Sequence, residues 1–491
     1  MPKARKAADR LLIISNRAPY SLRRRGRTNE LVRSIGGLAS TLDDTMRRHG
    51  GVWLAWSGNA ARSARNGQRR KLVRSLRTPD GGYRLRLLSL TDEQVTRYYH
   101  GFSNRSLWPL CHYFTTRAEF EHDEWRSYET VNRLFARTAA HSVPKNGITW
   151  VNDFHLALVP RMLRSLRPGA KIVTFWHIPF PAPAVLRILP WAREIVAGLL
   201  GSDLIGFHTS EDAAHFLESA RIIVGANVSL ARAEARYHGH GTRASSFPIG
   251  IEAGAFDKLG SDPAVMREVV ALRATIGTER LILGVDRLDY TKGILQRLSA
   301  YERFLAEHPG WHGRVTFLQI QVPSRESVPE YRQLREQIDR SVGRITGRFS
   351  TESWVPVRYL CHGFSRRDLA AFYRAADVML VTPLRDGMNL VAQEYVATRS
   401  DEDGVLVLSR FAGAADRLRE AILVNPYDQS AMEAAIDVAL AMPAAERRPA
   451  MVAMRRRVMN EDVNWWLGWF LAAAHVDPVK VPQERRRARS A

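Results

Sequence analysis

Short runs of aliphatic and β-branched residues recur along the chain, separated by longer stretches whose apolar residues return with helical spacing. A short apolar run bounded by polar or glycine-rich segments predicts a buried strand, and apolar residues three or four apart predict a helix with one buried face. The strands predicted in the first half are Leu11–Ser15, Ile148–Val151, Lys171–Phe175, Leu204–Phe207 and Ser245–Ile249. In the second half they are Leu281–Val285, Val315–Gln319, Val357–Leu360, Val378–Val381, Gly404–Leu408 and Ala421–Val424. Helices are predicted between them, among others at Asp212–Ala220, Tyr331–Val342 and Asp368–Ala375. Strand–helix alternation of this kind predicts parallel sheets covered on both faces. The series is too long for one doubly wound sheet, so the expected fold class is α/β with two Rossmann-like domains facing across a deep cleft.

Glycine and polar residues cluster from Gly239 to Gly254, which places a domain boundary there. Near the end, Asn464–Ala474 holds Trp465, Trp466, Trp469, Phe470 and Leu471. Its apolar residues cover much of a helix surface, so it must pack against something, and it is expected to lie across the other domain. The expected division is 1–248, 249–458, a terminal helix 459–481 packing back on the first domain, and a basic disordered tail 482–491.

Composition narrows the class. With 45% hydrophobic and 25% charged residues among 491, the chain has the profile of a soluble globular protein. No apolar run is long enough to span a bilayer, and Leu11–Ile14, after the basic start, is too short for a signal-peptide core. The two cysteines, Cys111 and Cys361, have no metal-ligand spacing, which argues against disulfides and structural zinc and fits a reducing cytoplasm. The formal charge of +22 is unusual, but its basic runs are scattered and no zinc-finger spacing or RNA-binding aromatic motif accompanies them. A solvated basic surface is the simpler reading, and it would also draw in anionic sugar phosphates. Neither a specific nucleic-acid partner nor a membrane is expected.

In open α/β sheets ligands bind beyond the carboxyl ends of strands, and the segments richest in chemistry follow predicted strands. Val378–Val381 runs into Thr382-Pro383-Leu384-Arg385-Asp386-Gly387-Met388-Asn389 and then a helix from Leu390. The free N–H groups and dipole of such a helix suit a pyrophosphate. Glu394, one turn on, can accept two vicinal ribose hydroxyls. Arg287 and Lys292 follow Leu281–Val285 and can neutralise a departing diphosphate. His177 lies in Trp176–Pro181, where two prolines fix the backbone. Asp153 follows Ile148–Val151 and is placed to accept a sugar hydroxyl, although a strand-end aspartate as often caps a helix. Arg17 follows the first strand, and the Gly36-Gly37 pair lets backbone approach a phosphate or a sugar closely. Tyr98 to Asn104 with Trp108 puts aromatic faces beside hydroxyl and amide groups, a set suited either to a sugar ring or to a core.

Together these segments resemble the trehalose-6-phosphate synthases, a family of retaining GT-B glucosyltransferases classed as glycosyltransferase family 20. The resemblance runs from about Leu11 to Ala474. It includes Ser15-Asn16-Arg17, Gly36-Gly37, Gly101–Asn104 with Trp108-Pro109, Asp153-Phe154-His155, His177–Pro181, Gly284–Gly293, Pro323–Glu326 and Thr382–Ala397. It implies glucose transfer from a nucleotide sugar, UDP-glucose being favoured over ADP- and GDP-glucose, to glucose 6-phosphate. It further implies that Arg17, Tyr99, Asp153 and Arg325 bind the acceptor, with Trp108 and Trp56 shaping that pocket. Gly36, Gly37, His177, Arg287, Lys292, Phe364, Asp386, Gly387, Met388, Asn389, Leu390, Val391 and Glu394 are implied in donor binding. Arg287, Lys292, His177 and Asp386 are implied in catalysis. No cofactor and no metal are implied, and a homo-oligomer is expected. Gln393 departs from the lysine of many relatives and is expected either to tune charge at the ribose or to face solvent. Larger relatives carry a phosphatase domain, and with no Asp-x-Asp-x-Thr motif here the phosphorylated sugar is the expected product. No carboxylate stands out as a nucleophile, which points to front-face substitution rather than double displacement.

Overall fold

The structure is a computed structural model that describes residues 11–25, 28–33, 42–43, 46–47, 50–61, 73–78, 82–324 and 329–475. The chain divides into two compact units, Met1–Phe247 with Trp465–Ala491, and Pro248–Asn464.

The strands of the first unit are β1 Leu11–Arg17, β2 Tyr20–Arg25, β3 Thr28–Arg33, β4 Val52–Ala61, β5 Val73–Arg77 and β6 Arg84–Thr91. They continue with β7 Ile148–Asn152, β8 Lys171–Phe175, β9 Leu204–Phe207, β10 Asn227–Ser229, β11 Glu234–Tyr237 and β12 His240–Ser246. Among the described residues, ten of them form one sheet in the order β10-β11-β12-β9-β8-β7-β1-β4-β6-β5, and β2 pairs with β3 apart from it. From β12 to β6 every neighbour is parallel. Counted from β1, the inner strands β6-β4-β1-β7-β8-β9 follow the order 3-2-1-4-5-6 of a Rossmann sheet. Continuous burial on both faces explains why β7 reads Ile-Thr-Trp-Val-Asn without alternation.

The second unit holds β13 Arg280–Arg287, β14 Val315–Val322, β15 Val357–Leu360, β16 Val378–Val381, β17 Val405–Ser409 and β18 Ile422–Val424. Their order is β15-β14-β13-β16-β17-β18, all parallel, and again 3-2-1-4-5-6. Ile282, Leu298, Tyr301, Phe304 and Phe317 are fully buried between this sheet and the helix Ile294–Glu307.

The helix Val463–His475 buries Trp466 and Phe470 completely. The Phe470 ring lies 4.9 Å from Trp150 and 5.2 Å from Phe175. A Cβ on Gly206 would come within 2.8 Å of that ring, so the missing side chain admits it. Trp466 donates its Nε1–H to the Phe247 carbonyl at 2.9 Å. Each such aromatic is worth roughly 1.5–3 kcal/mol of burial.

One predicted strand lies elsewhere. Ser245–Ile249 is observed as His240–Ser246, because Pro248 has no N–H to donate and the last sheet bond is Phe247 N–H to Phe207 O. Gly239 sits at φ 80 in the β11–β12 turn. Among the described residues no helix is long and apolar enough to cross a membrane.

Candidate active site

In a 3-2-1-4-5-6 sheet the connections leave to opposite faces on either side of strand 1, opening a crevice at the carboxyl ends of strands 1 and 4. In the first unit those ends are β1 and β7, which deliver Arg17 and Asp153. In the second they are β13 and β16, which deliver Arg287 and the loop from Thr382.

Arg17 sits opposite Trp56 in the register of β1 and β4. Its guanidinium lies 4.0 Å from the Trp56 ring centroid and 5.2 Å from that of Tyr99, and Nη1 donates to the Gly58 carbonyl at 2.9 Å. Tyr99 stacks on His155 at 5.8 Å and 15°. It is carried by a wide, π-type helix, Val95–Leu107, broken at Gly101 (ψ −106). A Cβ at Gly101 would meet the Glu124 carboxylate at 2.5 Å. Trp108 is buried against His112 and Phe154 and joins the group through Phe154, whose ring lies 4.0 Å from His155. A cation on two aromatic faces suits a phosphorylated, hydroxyl-rich ligand.

Asp153 has φ 72 and ψ 167, a region open essentially to glycine. Its strain is held by surrounding bonds. Asp153 N–H donates to Phe175 O at 2.8 Å, Oδ1 accepts His177 N–H at 3.2 Å, and buried Tyr128 and Asn132 donate to Phe154 O and His155 O. A quarter of the Asp153 side chain is exposed, yet the surrounding walls desolvate its carboxyl and lift it to about 6. His177 lies against Phe175 at 4.5 Å and His208 at 5.5 Å, with Nε2 3.4 Å from Asn152 Oδ1. Burial first, then His208, holds its imidazolium well below the usual range, so this ring works neutral.

In the second unit Asp289 accepts from Thr291 N–H and shapes the turn Tyr290–Lys292. Gly293 follows at φ 66, where a Cβ would meet Thr382 O at 2.4 Å. Lys292, expected to help neutralise a diphosphate, has its Nζ ion-paired to Asp386, and both side chains are largely buried. Asn389 Nδ2 donates to the same Asp386 Oδ2 at 3.1 Å. Asn389 adopts φ 70 at the start of the helix Leu390–Thr398 and gives that helix no side-chain cap. The first N–H groups of Leu390 and Val391 are therefore left to an incoming acceptor. Gly387 and Met388 are buried, with Met388 O accepting Ala414 N–H at 2.9 Å.

Glu394 accepts from Tyr373 Oη at 2.9 Å, and burial raises its carboxyl to about 7. Phe364 packs on Phe372 at 4.9 Å, at the start of the helix Arg366–Ala375 that also supplies Tyr373. Gln393 does not face solvent. It is 4% exposed, and its Nε2 donates to Ile249 O at 3.0 Å. Gly36, Gly37 and Arg325 lie outside the described residues. Among the described residues no group of three or more His, Cys, Asp and Glu side chains is arranged to hold a metal.

Sequence reasoning missed His208, Tyr128, Asn132 and Arg297. His208 carries the same signal as His177, a histidine just past a strand end. The other three lie inside helices and show nothing local that marks them.

Chain-wide comparison agrees with this geometry. The model of "Glycosyltransferase family 20" matches residues 9–475. The trehalose-6-phosphate synthase of Mycolicibacterium vanbaalenii is 40% identical over 98% of this chain and 99% of its own. The bifunctional trehalose-6-phosphate synthase/phosphatase of Thermoproteus tenax is 40% identical over 93% of this chain, which spans 62% of that relative's length. A UDP-forming α,α-trehalose-phosphate synthase from Burkholderia xenovorans, solved in complex with glucose-6-phosphate, superposes with TM-score 0.85 at 35% identity, covering 95% of this chain and 100% of that one. A structure from E. coli bound with UDP-2-fluoro glucose superposes with TM-score 0.87 at 34% identity, covering 96% and 100%. Two Rossmann-like units, strand-end cations and likeness along nearly the whole chain converge, and the chain belongs to glycosyltransferase family 20.

Proposed function

We propose that this enzyme transfers glucose from UDP-glucose to the anomeric hydroxyl of glucose 6-phosphate with retention, giving α,α-trehalose 6-phosphate and UDP. One observation carries the reading. Lys292, Asp386 and Asn389 meet at the uncapped start of the helix Leu390–Thr398, with Arg287 at the end of the neighbouring β13. Backbone donors and two cations at one sheet edge suit a diphosphate. The relatives that form UDP or hold glucose-6-phosphate and UDP-2-fluoro glucose support the substrate pair.

In this mechanism Lys292 exchanges Asp386 for the diphosphate. The exchange frees the Asp386 carboxylate to accept a hydroxyl of the transferred glucose. The donor C1–O bond breaks and its electron pair leaves on the diphosphate, held by Arg287, Lys292 and the helix N–H groups. The acceptor oxygen bonds C1 on the face just vacated, and its proton passes to a diphosphate oxygen. Preorganised donors of this kind are worth about 10²–10³ in turnover each. Neutral His177 hydrogen-bonds the sugar without adding charge. Arg17, with Arg325, takes the 6-phosphate, Asp153 accepts an acceptor hydroxyl, and Glu394 takes the ribose diol. The cytoplasm, where both free cysteines stay reduced, is part of the proposal.

The test is incubation with UDP-, ADP- and GDP-glucose, each with glucose 6-phosphate or glycerol 3-phosphate, followed by identification of product and anomeric form. α,α-Trehalose 6-phosphate from UDP-glucose is the expected product. Transfer only to glycerol 3-phosphate, or binding of both substrates without product, would refute the reading.

A further inference from the structure

Behind the donor loops lies a buried cation with no direct route to a ligand. Arg297, in the helix Ile294–Glu307, is 0% exposed. Its Nη1 donates to Asp286 Oδ2 at 2.5 Å and to Gln319 Oε1 at 3.0 Å, Nε to Thr382 Oγ1 at 3.0 Å, and Nη2 to Lys292 O at 3.3 Å. Those partners sit on four separate segments: the end of β13, the middle of β14, the start of the loop after β16, and the turn Tyr290–Lys292. Three of them adjoin proposed donor-site groups. Asp286 precedes Arg287, the Lys292 carbonyl belongs to the residue that pairs with Asp386, and Thr382 opens the loop to Asp386. Gly284 makes room for the fork, since a Cβ there would lie 2.7 Å from Nη1. Leu384 N–H to Thr291 O at 2.7 Å ties the two loops once more beside it.

We infer that Arg297 is the positioning residue of the diphosphate clamp, fixing Arg287, Lys292 and the Asp386 loop against one rigid guanidinium. The inference rests on the donor reading above. The planar fork matters because only arginine offers several donors at fixed angles, and a lysine ammonium cannot span these four acceptors. The Asp286 charge balances that of Arg297, so the pair fixes geometry without competing for the diphosphate.

Three variants separate positioning from stability. Arg297→Lys keeps the charge and loses the fork. Its donor kcat/KM should fall about 10²-fold, as a small misplacement of a catalytic group does, while KM for glucose 6-phosphate stays within about twofold. Arg297→Met combined with Asp286→Asn removes both buried charges together, which restores the melting temperature towards wild type where Arg297→Met alone lowers it. Donor kcat/KM should stay low in this folded double variant. Lys292→Ala is the control for the reading beneath. If it loses turnover while the folded Arg297 variants keep wild-type donor kcat/KM, the positioning role is overturned alone. If Lys292→Ala keeps wild-type turnover, the donor reading falls and this inference with it.

Discussion

Asp153→Asn should make the protein more stable at neutral pH while crippling it as a catalyst. Aspartate at φ 72 and ψ 167 is strained, and its carboxyl is lifted to about 6 by burial. Folded, the wild type binds more protons than unfolded between 3.8 and about 6. Its stability therefore falls as pH rises through that window, and the loss is complete above pH 6. The gap between 3.8 and about 6 converts, at about 1.36 kcal/mol per pH unit, to about 3 kcal/mol. Asparagine carries no charge, its Oδ1 can still accept His177 N–H, and it tolerates positive φ better than most residues. The melting temperature at pH 8 should rise by roughly 5 °C, allowing for the size of the unit. Calorimetry at pH 8 and pH 4.5 checks the sign, because the gain should shrink towards zero in acid. KM for glucose 6-phosphate should rise about tenfold or more with the lost charge-assisted bond. A gain equal at both pH values, or a lower melting temperature at pH 8, would refute the account of Asp153 as a strained, desolvated carboxylate.

Arg287→Ala should cut turnover about 10²-fold, as loss of a single transition-state donor does elsewhere; a folded variant with near wild-type turnover would remove Arg287 from the mechanism. With Glu394 at about 7, donor affinity should be full above pH 7 and weaken roughly tenfold by pH 6, read as KM for UDP-glucose. Glu394→Gln should show a uniformly higher KM with that slope gone, and an unchanged slope would separate Glu394 from the donor. Turnover should persist in excess EDTA, because the two cations of the clamp are protein groups; its complete loss with the fold intact would require a metal.

The strands that read clearly in the sequence are those buried on both faces, such as β7, β8 and β14, where β-branched, aliphatic and aromatic residues predominate and nearly every position is buried. β4 and β6 did not, although both lie in the parallel core. β4 breaks its apolar run with Ser57-Gly58-Asn59, and β6 interleaves arginine and serine with leucine. Motif residues were legible because strand ends are where a sheet exposes chemistry. What could not be read was pairing at long range. Nothing local shows that Lys292 meets Asp386, 94 positions on. Gln393 looked like a neighbour of the ribose, but a helix turns successive residues about 100° apart, so its neighbour Glu394 faces Tyr373 while Gln393 turns to Ile249. Arg297 read as one more cation among 72.

Both sheets repeat one strand order, and each keeps its reactive loops at its own point of divergence. Each set is also braced internally, by Tyr128 and Asn132 in one case and by Arg297 in the other. Descent can therefore rewrite one half while inheriting the other intact. Under the proposed function, a lineage that altered the loops after β1 and β7 would acquire a new sugar to decorate and retain the old way of expelling the nucleoside diphosphate. Diversification in recipient, with conservatism in leaving group, is the evolutionary pattern this architecture favours.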